Sequence, residues 1–214
     1  MKIKFNTKPA YWNKAIKHLK ENDPILKTII EQTKSNIFLT RNCTPFQTLV
    51  NAIVGQQISV KAASSISNKL KNKLKNINQS QIDRSSIKML KDCGLSRQKV
   101  TYLKEISKKF INNPSFFYSF KHLDDKSIIE KLCTLKGIGE WTAQMYLIFQ
   151  LNRPDVLPLG DLGFIKSTNK LYKLSEKNNF DEIINIAKKW IPYRSVAVWQ
   201  IWRIIDNLMR FILC

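Results

Sequence analysis

Apolar residues recur at helical spacing along most of this chain, and few stretches alternate between apolar and polar residues. Thr44-Pro45 has the form of a helix start, with an N-cap residue followed by proline at the first helical position. The apolar residues after it share one helical face: Phe46, Leu49, Val50 and Ile53. This pattern predicts an all-α fold.

The same spacing, with N-cap residues and glycine stops, predicts helices along the rest of the chain. They cover residues 11–19, 24–33, 59–74, 83–90, 97–110, 124–132, 140–150, 162–174, 181–189 and 195–213. Residues 111–120, with the turn signal Asn113-Pro114, are predicted to be irregular. Because no flexible linker interrupts the chain, we expect a single domain over residues 1–214. Its two helical lobes are predicted at about 1–44 plus 155–214, and at 45–154.

The chain is strongly basic, with 36 Lys and Arg against 16 Asp and Glu and a net charge of +20. Such a charge attracts polyanions such as DNA, RNA or an anionic membrane. Coding bias in an AT-rich genome would also enrich lysine, so the charge supports a nucleic-acid partner without identifying one. A long basic amphipathic helix is lacking, so no membrane partner is expected.

The N-terminal segment lacks a cleavable signal pattern, and no run of about 18 uncharged apolar residues is present. We therefore expect a protein that is cytoplasmic (nucleoid-associated) or otherwise intracellular. The four cysteines, Cys43, Cys93, Cys133 and Cys214, are far apart. Zinc and iron–sulfur sites need clustered ligands, so neither is predicted, and no cofactor is expected to be required.

A turn with two glycines, Leu135–Gly139, separates two predicted helices. Glycine at Gly137 and Gly139 allows close backbone approach to a ligand, and the N–H groups of the following helix favour an anion such as a DNA phosphate. Taken alone, the turn is equally compatible with an ordinary helical hairpin. Further along, Asp161 precedes another helix, where on its own it would be an N-cap.

These residues together resemble a known family. Leu135–Ala143 followed by Asp161 is similar to the helix-hairpin-helix (HhH-GPD) DNA glycosylase superfamily. Residues 45–59 (PFQTLVNAIVGQQIS) and 193–202 (YRSVAVWQIW) are similar to its 3-methyladenine DNA glycosylase II branch. The resemblance extends from Thr44 onward and implies a two-lobed helical fold, with the active site and a DNA groove between the lobes.

The resemblance also implies roles for single residues. Asp161 matches the essential catalytic aspartate, and Gln57 matches the side chain that fills the gap left by a flipped base, with Gln56 beside it. A fixed carboxylate stabilises the positive charge that develops on the sugar and orients water. The hairpin residues implied to contact DNA are Leu135, Gly137, Ile138 and Gly139. The backbone carbonyls that match a monovalent or calcium ion site are those of Cys133, Leu135 and Ile138.

Trp141 and Trp202 match positions that line the base pocket, and Phe46 is a weaker candidate. Alkylated purines carry positive charge, which aromatic faces attract. Met145 and Leu162 stand where some members have tyrosines, so the substrate range is expected to differ. The alternative for either tryptophan is a core residue, since tryptophan is a common core filler.

Bifunctional relatives place a lysine where this chain has Trp141, so we expect no strand cleavage. The resemblance thus predicts a monofunctional base-excision-repair glycosylase that flips alkylated purines (3-methyladenine, 7-methylguanine type) out of duplex DNA and acts as a monomer. Two alternatives stay open: a glycosylase for deaminated or oxidised purines, and a non-catalytic helix-hairpin-helix DNA-binding protein. The second would have no need of Asp161 or of a tryptophan-lined pocket.

Overall fold

The computed structural model describes residues 7–33, 37–175 and 180–205, and within them the chain is helical with no strand. The prediction of an all-α fold is confirmed. The α-helices are α1 Trp12–Asn22, α2 Pro24–Gln32, α3 Pro45–Gly55, α4 Val60–Leu74, α5 Gln79–Arg84, α6 Ile87–Asp92, α7 Arg97–Asn112, α8 Ser115–Tyr118, α9 Asp125–Cys133, α10 Glu140–Phe149, α11 Leu162–Tyr172, α12 Phe180–Lys188 and α13 Arg194–Ile205. A 3₁₀ helix, Ser119–His122, follows α8.

Polar residues cap most of these helices where the sequence predicts a start. Asp23 accepts hydrogen bonds from the Ile25 and Leu26 N–H groups at the start of α2. Thr44 and Gln47 form a reciprocal capping box at the start of α3. The caps therefore position α2 and α3 through contacts that are local in sequence.

Two predicted segments differ in the structure. The single helix predicted over 83–90 is two helices, because Ser86 accepts a hydrogen bond from the Met89 N–H and begins α6 as a new N-cap. The segment 111–120, predicted to be irregular, contains the end of α7, all of α8 and the start of the 3₁₀ helix. The last predicted helix is described only to residue 205, so its remainder to 213 lies outside the described residues.

The chain divides into two compact units. The central unit is Cys43–Tyr146, and its core contains an aromatic group: Phe46, Phe110, Phe116, Phe117, Phe120 and Tyr146. The terminal unit comprises, within the described residues, 7–33, 37–42, 147–175 and 180–205. The unit boundaries fall at 42/43 and 146/147, against the predicted 44/45 and 154/155. That the two units act as one glycosylase domain stays a prediction.

In the terminal unit, α1 and α2 pack on each other and on α13, while α11 packs on α12 and α13. The Trp12 and Trp199 rings meet edge to face, 5.1 Å apart. Asp23 is buried, and its Oδ2 accepts hydrogen bonds from the Tyr172 hydroxyl at 2.7 Å and the Trp190 indole N–H at 2.9 Å. The carboxylate that caps α2 therefore also holds α11 and the segment after α12.

Within the described ranges, no helix is long and apolar enough to span a bilayer.

Candidate active site and nucleic-acid interface

Asp161 lies immediately before α11 and caps it. Its backbone is extended, and its Oδ1 accepts a hydrogen bond from the Phe164 N–H at 2.6 Å. The carboxylate is thus fixed at the positive end of a helix, where negative charge is stabilised. The local sequence explains this, because aspartate ahead of an apolar helical pattern is a strong N-cap.

Trp202 reaches the same carboxylate from α13. Its indole Nε1 donates to Asp161 Oδ1 at 3.2 Å, and its buried ring stacks on Phe149 with the ring centres 5.7 Å apart and the planes at 17°. A Cβ added at Gly163 would lie 3.2 Å from the same oxygen. The indole donor and the ring behind it restrict the Asp161 side chain, while the absence of a Cβ at Gly163 leaves room for its Oδ1.

The segment leading to Asp161 is anchored to the start of α13. The Arg194 guanidinium pairs with the Asp155 carboxylate through two hydrogen bonds, Nε to Oδ1 at 2.7 Å and Nη2 to Oδ2 at 2.9 Å. The Ser195 N–H donates to the Pro154 carbonyl, and its hydroxyl accepts from the Val156 N–H at 2.9 Å. One helix, α13, therefore holds both this segment and, through Trp202, the carboxylate that follows it.

Leu162 is the first residue of α11 and is 74% exposed, unlike most leucines among the described residues. The terminal unit thus brings three predicted site residues together: Asp161, Leu162 and Trp202. Phe149 and Gly163, which sequence reasoning did not select, complete this group. Gly163 stands two residues after the predicted aspartate, whereas nothing in the sequence distinguishes Phe149 from the other apolar residues of α10.

In the central unit, the turn after α3 carries Gln56 and Gln57. Gln56 Nε2 donates to the Gly137 carbonyl at 2.8 Å and to Thr142 Oγ1 at 3.0 Å. Gln57 is exposed and has a φ of +55°, in the left-handed region that side-chain-bearing residues rarely adopt. The predicted base-replacing turn is therefore tied to the predicted hairpin, with the Gln57 side chain left exposed.

Lys99 of α7 contacts the same turn. Its ammonium donates to the Val54 carbonyl at 2.8 Å and to the Gln56 carbonyl at 2.7 Å. Burial lowers the pKa of Lys99. Sequence reasoning missed this lysine, because its acceptors lie more than 40 residues away and the chain contains many lysines.

The two hairpin glycines serve different purposes. Gly137 has a φ of +86°, and a Cβ there would overlap the Tyr102 ring of α7, so this glycine is required by its backbone conformation and by the packing of the hairpin on α7. At Gly139, an added Cβ would have no atom of the described residues within 4 Å apart from those of the adjoining backbone and chain neighbours. The open face expected for a close-approaching ligand is therefore found at Gly139 alone.

The remaining predicted residues of the central unit lie on α10 and α3. Trp141, in the first turn of α10, is half-buried, and Met145 on the same helix is buried. Phe46 is buried and meets Phe110 edge to face at 5.2 Å, which gives it a packing role in the core. In the hairpin, Leu135 is half-buried and Ile138 is buried. Pocket and DNA roles for these residues stay predictions.

Among the described residues, no three His, Cys, Asp or Glu side chains are grouped so as to hold a metal ion. The candidate ion ligands at the hairpin are instead backbone carbonyls. Cys133 is the last residue of α9, where carbonyls lack helical partners. Together with Leu135 and Ile138 it offers hard oxygen donors, the chemistry that monovalent cations and calcium prefer.

Comparison with known proteins identifies the family of the chain. The sequence model of one protein family, the HhH-GPD superfamily base excision DNA repair proteins, matches residues 50–193. The chain is 32% identical over 165 residues to DNA-3-methyladenine glycosylase 1 of Schizosaccharomyces pombe, covering 74% of this chain and 72% of that protein. It is also 26% identical over 204 residues to the alkylbase DNA glycosidase-like protein mag2 of that yeast, covering 92% and 96% of the two chains.

Among solved structures, the chain is similar to the S. pombe 3-methyladenine DNA glycosylase Mag1 in complex with abasic DNA. The TM-score is 0.79 and the identity 28%, covering 89% of this chain and 95% of the other. The family predicted from the hairpin and Asp161 is confirmed. From the matched family model and the extent of the likeness, this chain belongs to the HhH-GPD superfamily of base excision DNA repair proteins.

Proposed function

We propose that this protein is a monofunctional DNA glycosylase that hydrolyses the N-glycosidic bond of alkylated purines in duplex DNA. The observation that carries the proposal is the fixed Asp161 carboxylate, held by the Phe164 N–H and the Trp202 indole in a chain of this superfamily. The names of the S. pombe relatives support alkylated purines as the substrate class.

The chemistry needs a carboxylate at this point. Breaking an N-glycosidic bond develops positive charge on the sugar, and a preorganised anion stabilises that charge without moving. The Phe164 and Trp202 donors keep Asp161 in one orientation, from which it can also orient or deprotonate the attacking water. Leu162 and Trp202 beside it, with Trp141 and Met145, are our candidates for contacts to the extruded base.

Docking on DNA is assigned to the hairpin and to the turn after α3. The open face at Gly139 leaves room for a phosphate near the first turn of α10. The carbonyls of Cys133, Leu135 and Ile138 would hold a monovalent or calcium ion, which supplies positive charge for that phosphate. Gln57 would enter the duplex where the flipped base leaves its stack. We propose that one copy of the chain acts alone, inside the cell.

We propose that the enzyme releases the base without cutting the strand. Strand cleavage by this family's chemistry needs an amine that attacks the sugar and forms a Schiff base. At the position where the resemblance expects that amine, the chain has the indole of Trp141. Lys99 is an amine of the same unit, but its ammonium donates hydrogen bonds to two carbonyls. While it is protonated it has no lone pair with which to attack the sugar.

The test is release of free bases from methylated duplex DNA, with the strands then examined for nicks. Wild type is expected to release 3-methyladenine or 7-methylguanine and leave the strands intact. Asp161→Asn is expected to release almost none, although asparagine still caps α11 and preserves the fold. Asp124→Asn is the matched control, because Asp124 caps α9 in the same way by accepting from the Ser127 N–H. The Asp124→Asn variant is expected to retain full activity.

A second function has to be distinguished from this one, because capping α11 gives Asp161 a structural role that requires no catalysis. On that reading the chain binds DNA through its hairpin and excises nothing. DNA binding with no release from alkylated, deaminated or oxidised purine substrates would establish it. Release from a deaminated or oxidised substrate alone would instead reassign the lesion.

A further inference from the structure

The turn after α3 holds Gln57 in an unfavourable backbone conformation. Its φ of +55° places a side-chain-bearing residue in the left-handed region, and its side chain is exposed. A residue with a Cβ occupies this region at a cost in free energy, so the surrounding contacts must hold it there. Strained backbone conformations of this kind cluster at functional sites, which makes the contacts that hold Gln57 of interest.

Lys99 supplies contacts of that kind. The Gln56 carbonyl, which accepts from Lys99 Nζ at 2.7 Å, belongs to the same planar peptide group as the Gln57 N–H. The dihedral φ of Gln57 is a rotation about its N–Cα bond. Holding this peptide plane in place therefore fixes the group on the N side of that bond. The second acceptor, the Val54 carbonyl at 2.8 Å, lies near the end of α3, where carbonyls lack helical partners and positive charge is favourable.

The Gln56 side chain holds the other side of the turn. Its amide donates to the Gly137 carbonyl and to Thr142 Oγ1, both in the segment of the hairpin and α10. The turn is therefore fastened at its backbone to α7 and at its side chain to the hairpin. Within the central unit, the hairpin and the exposed Gln57 are thus held in one arrangement.

We propose that Lys99 is a positioning residue that holds Gln57 in the conformation required to enter the duplex. The inference rests on the proposed function of Gln57 as the side chain that replaces the flipped base. Lys99 itself contacts no reacting atom. Its loss would let the Gln56–Gln57 peptide rotate and the side chain leave its insertion geometry.

The test compares Lys99→Met with Lys104→Met. Lys104 is on the same helix and donates to the Asp83 and Ser85 carbonyls at the end of α5, so it has the same kind of contact at a different turn. The readouts are the single-turnover rate of base release, the Kd for product abasic DNA, and the fluorescence of 2-aminopurine placed beside the lesion, which reports unstacking. Thermal melting measures any general loss of stability.

Lys99→Met is expected to slow base release by between about tenfold and a hundredfold, because small displacements of a positioned group have effects of that size. The 2-aminopurine signal should fall with it, while Lys104→Met keeps both. Lys99→Arg, which retains donors, should recover most of the rate. In a Gln57→Ala background, Lys99→Met should cause little further loss, because the side chain it positions is already gone.

The proposal would be overturned if Lys99→Met and Lys104→Met slowed base release equally. It would also be overturned if the effects of Lys99→Met and Gln57→Ala on that rate were fully additive. Failure of the proposed function gives a different result, since wild type would then release no base. In that case the 2-aminopurine signal on duplex DNA with an abasic site decides the inference alone. A signal that Lys99→Met lowers supports it, and a signal that this variant leaves unchanged overturns it.

Discussion

Trp202 makes two contacts that single substitutions can separate. Trp202→Phe keeps an aromatic ring against Phe149 but removes the N–H that donates to Asp161 Oδ1. Since hydrogen bonds to charged groups contribute about 1.5–3 kcal/mol, we expect base release to slow by about tenfold to a hundredfold. The measurement is single-turnover release at saturating enzyme, where DNA affinity does not limit the rate.

Trp199→Phe is the control for that variant. Trp199 is buried on the same helix, and within the described part of the chain its indole N–H has no hydrogen-bond partner. Removing this N–H should leave base release unchanged, because no hydrogen bond is lost. The smaller ring leaves a cavity beside Trp12, so a loss of stability is expected and is measured separately by thermal melting. A Trp202→Phe enzyme as active as Trp199→Phe would show that the bond to Asp161 does not assist catalysis.

The hairpin glycines provide a second pair of variants. Gly137→Ala should destabilise the protein by at least about 1–3 kcal/mol, the cost of a strained left-handed residue, because the methyl group also overlaps the Tyr102 ring. Gly139→Ala should fold normally and bind duplex DNA more weakly. Melting temperature and DNA affinity measured on both variants would separate these effects. Normal affinity in Gly139→Ala would place the phosphate elsewhere.

At the scale of single residues, the sequence predicts those site residues whose contacts are with residues close in the chain. Asp161 can be found from its motif and from the helix that it caps. The contact of Lys99 with the Gln56 carbonyl spans 43 residues, and that of Trp202 with Asp161 spans 41. Which lysine or tryptophan reaches a given atom depends on how α7 or α13 packs, and residue type alone does not determine this.

Among the helices, α2 is joined to its unit through its own N-cap. Asp23 is buried and accepts from two backbone N–H groups, the Tyr172 hydroxyl and the Trp190 indole. We expect Asp23→Ala to lower the free energy of unfolding by about 3–5 kcal/mol, because it leaves buried donors unpaired. Tyr172→Phe removes one of these bonds and should cost about 1.5–3 kcal/mol.

Chemical denaturation of both variants tests this ordering. If Asp23→Ala proved no more costly than Tyr172→Phe, the carboxylate would not join the three segments as described. Far-UV circular dichroism of the folded variants should be unchanged, since the loss lies in packing between helices and α1 and α2 themselves persist.

Helix positions were predictable to within a few residues where a cap marks the start. Asp23-Pro24 and Thr44-Pro45 are examples, because an N-cap acts on backbone groups two or three residues away. The segment 111–120 was not predictable in this way. Its short helices carry Phe116, Phe117 and Phe120 into an aromatic group with Phe110 and Tyr146, so their conformation depends on packing with distant residues.

For the whole molecule, the net charge of +20 predicts strongly salt-dependent binding. The logarithm of the association constant for duplex DNA should fall linearly with the logarithm of salt concentration, by about 0.9 for each phosphate that a Lys or Arg side chain neutralises. Fluorescence anisotropy at several salt concentrations measures this slope. A slope near zero would contradict docking on the phosphate backbone.

The cap at Asp161 has a consequence for how this protein can diverge. A substitution that removes the side-chain acceptor weakens the start of α11 and also abolishes the proposed catalysis. Asparagine abolishes only the catalysis, because its side-chain oxygen still caps the helix. A descendant chain that lost its enzymatic role would still gain stability by keeping aspartate there. Inheritance of this residue alone therefore cannot distinguish active from inactive descendants, and an assay of base release is needed for each.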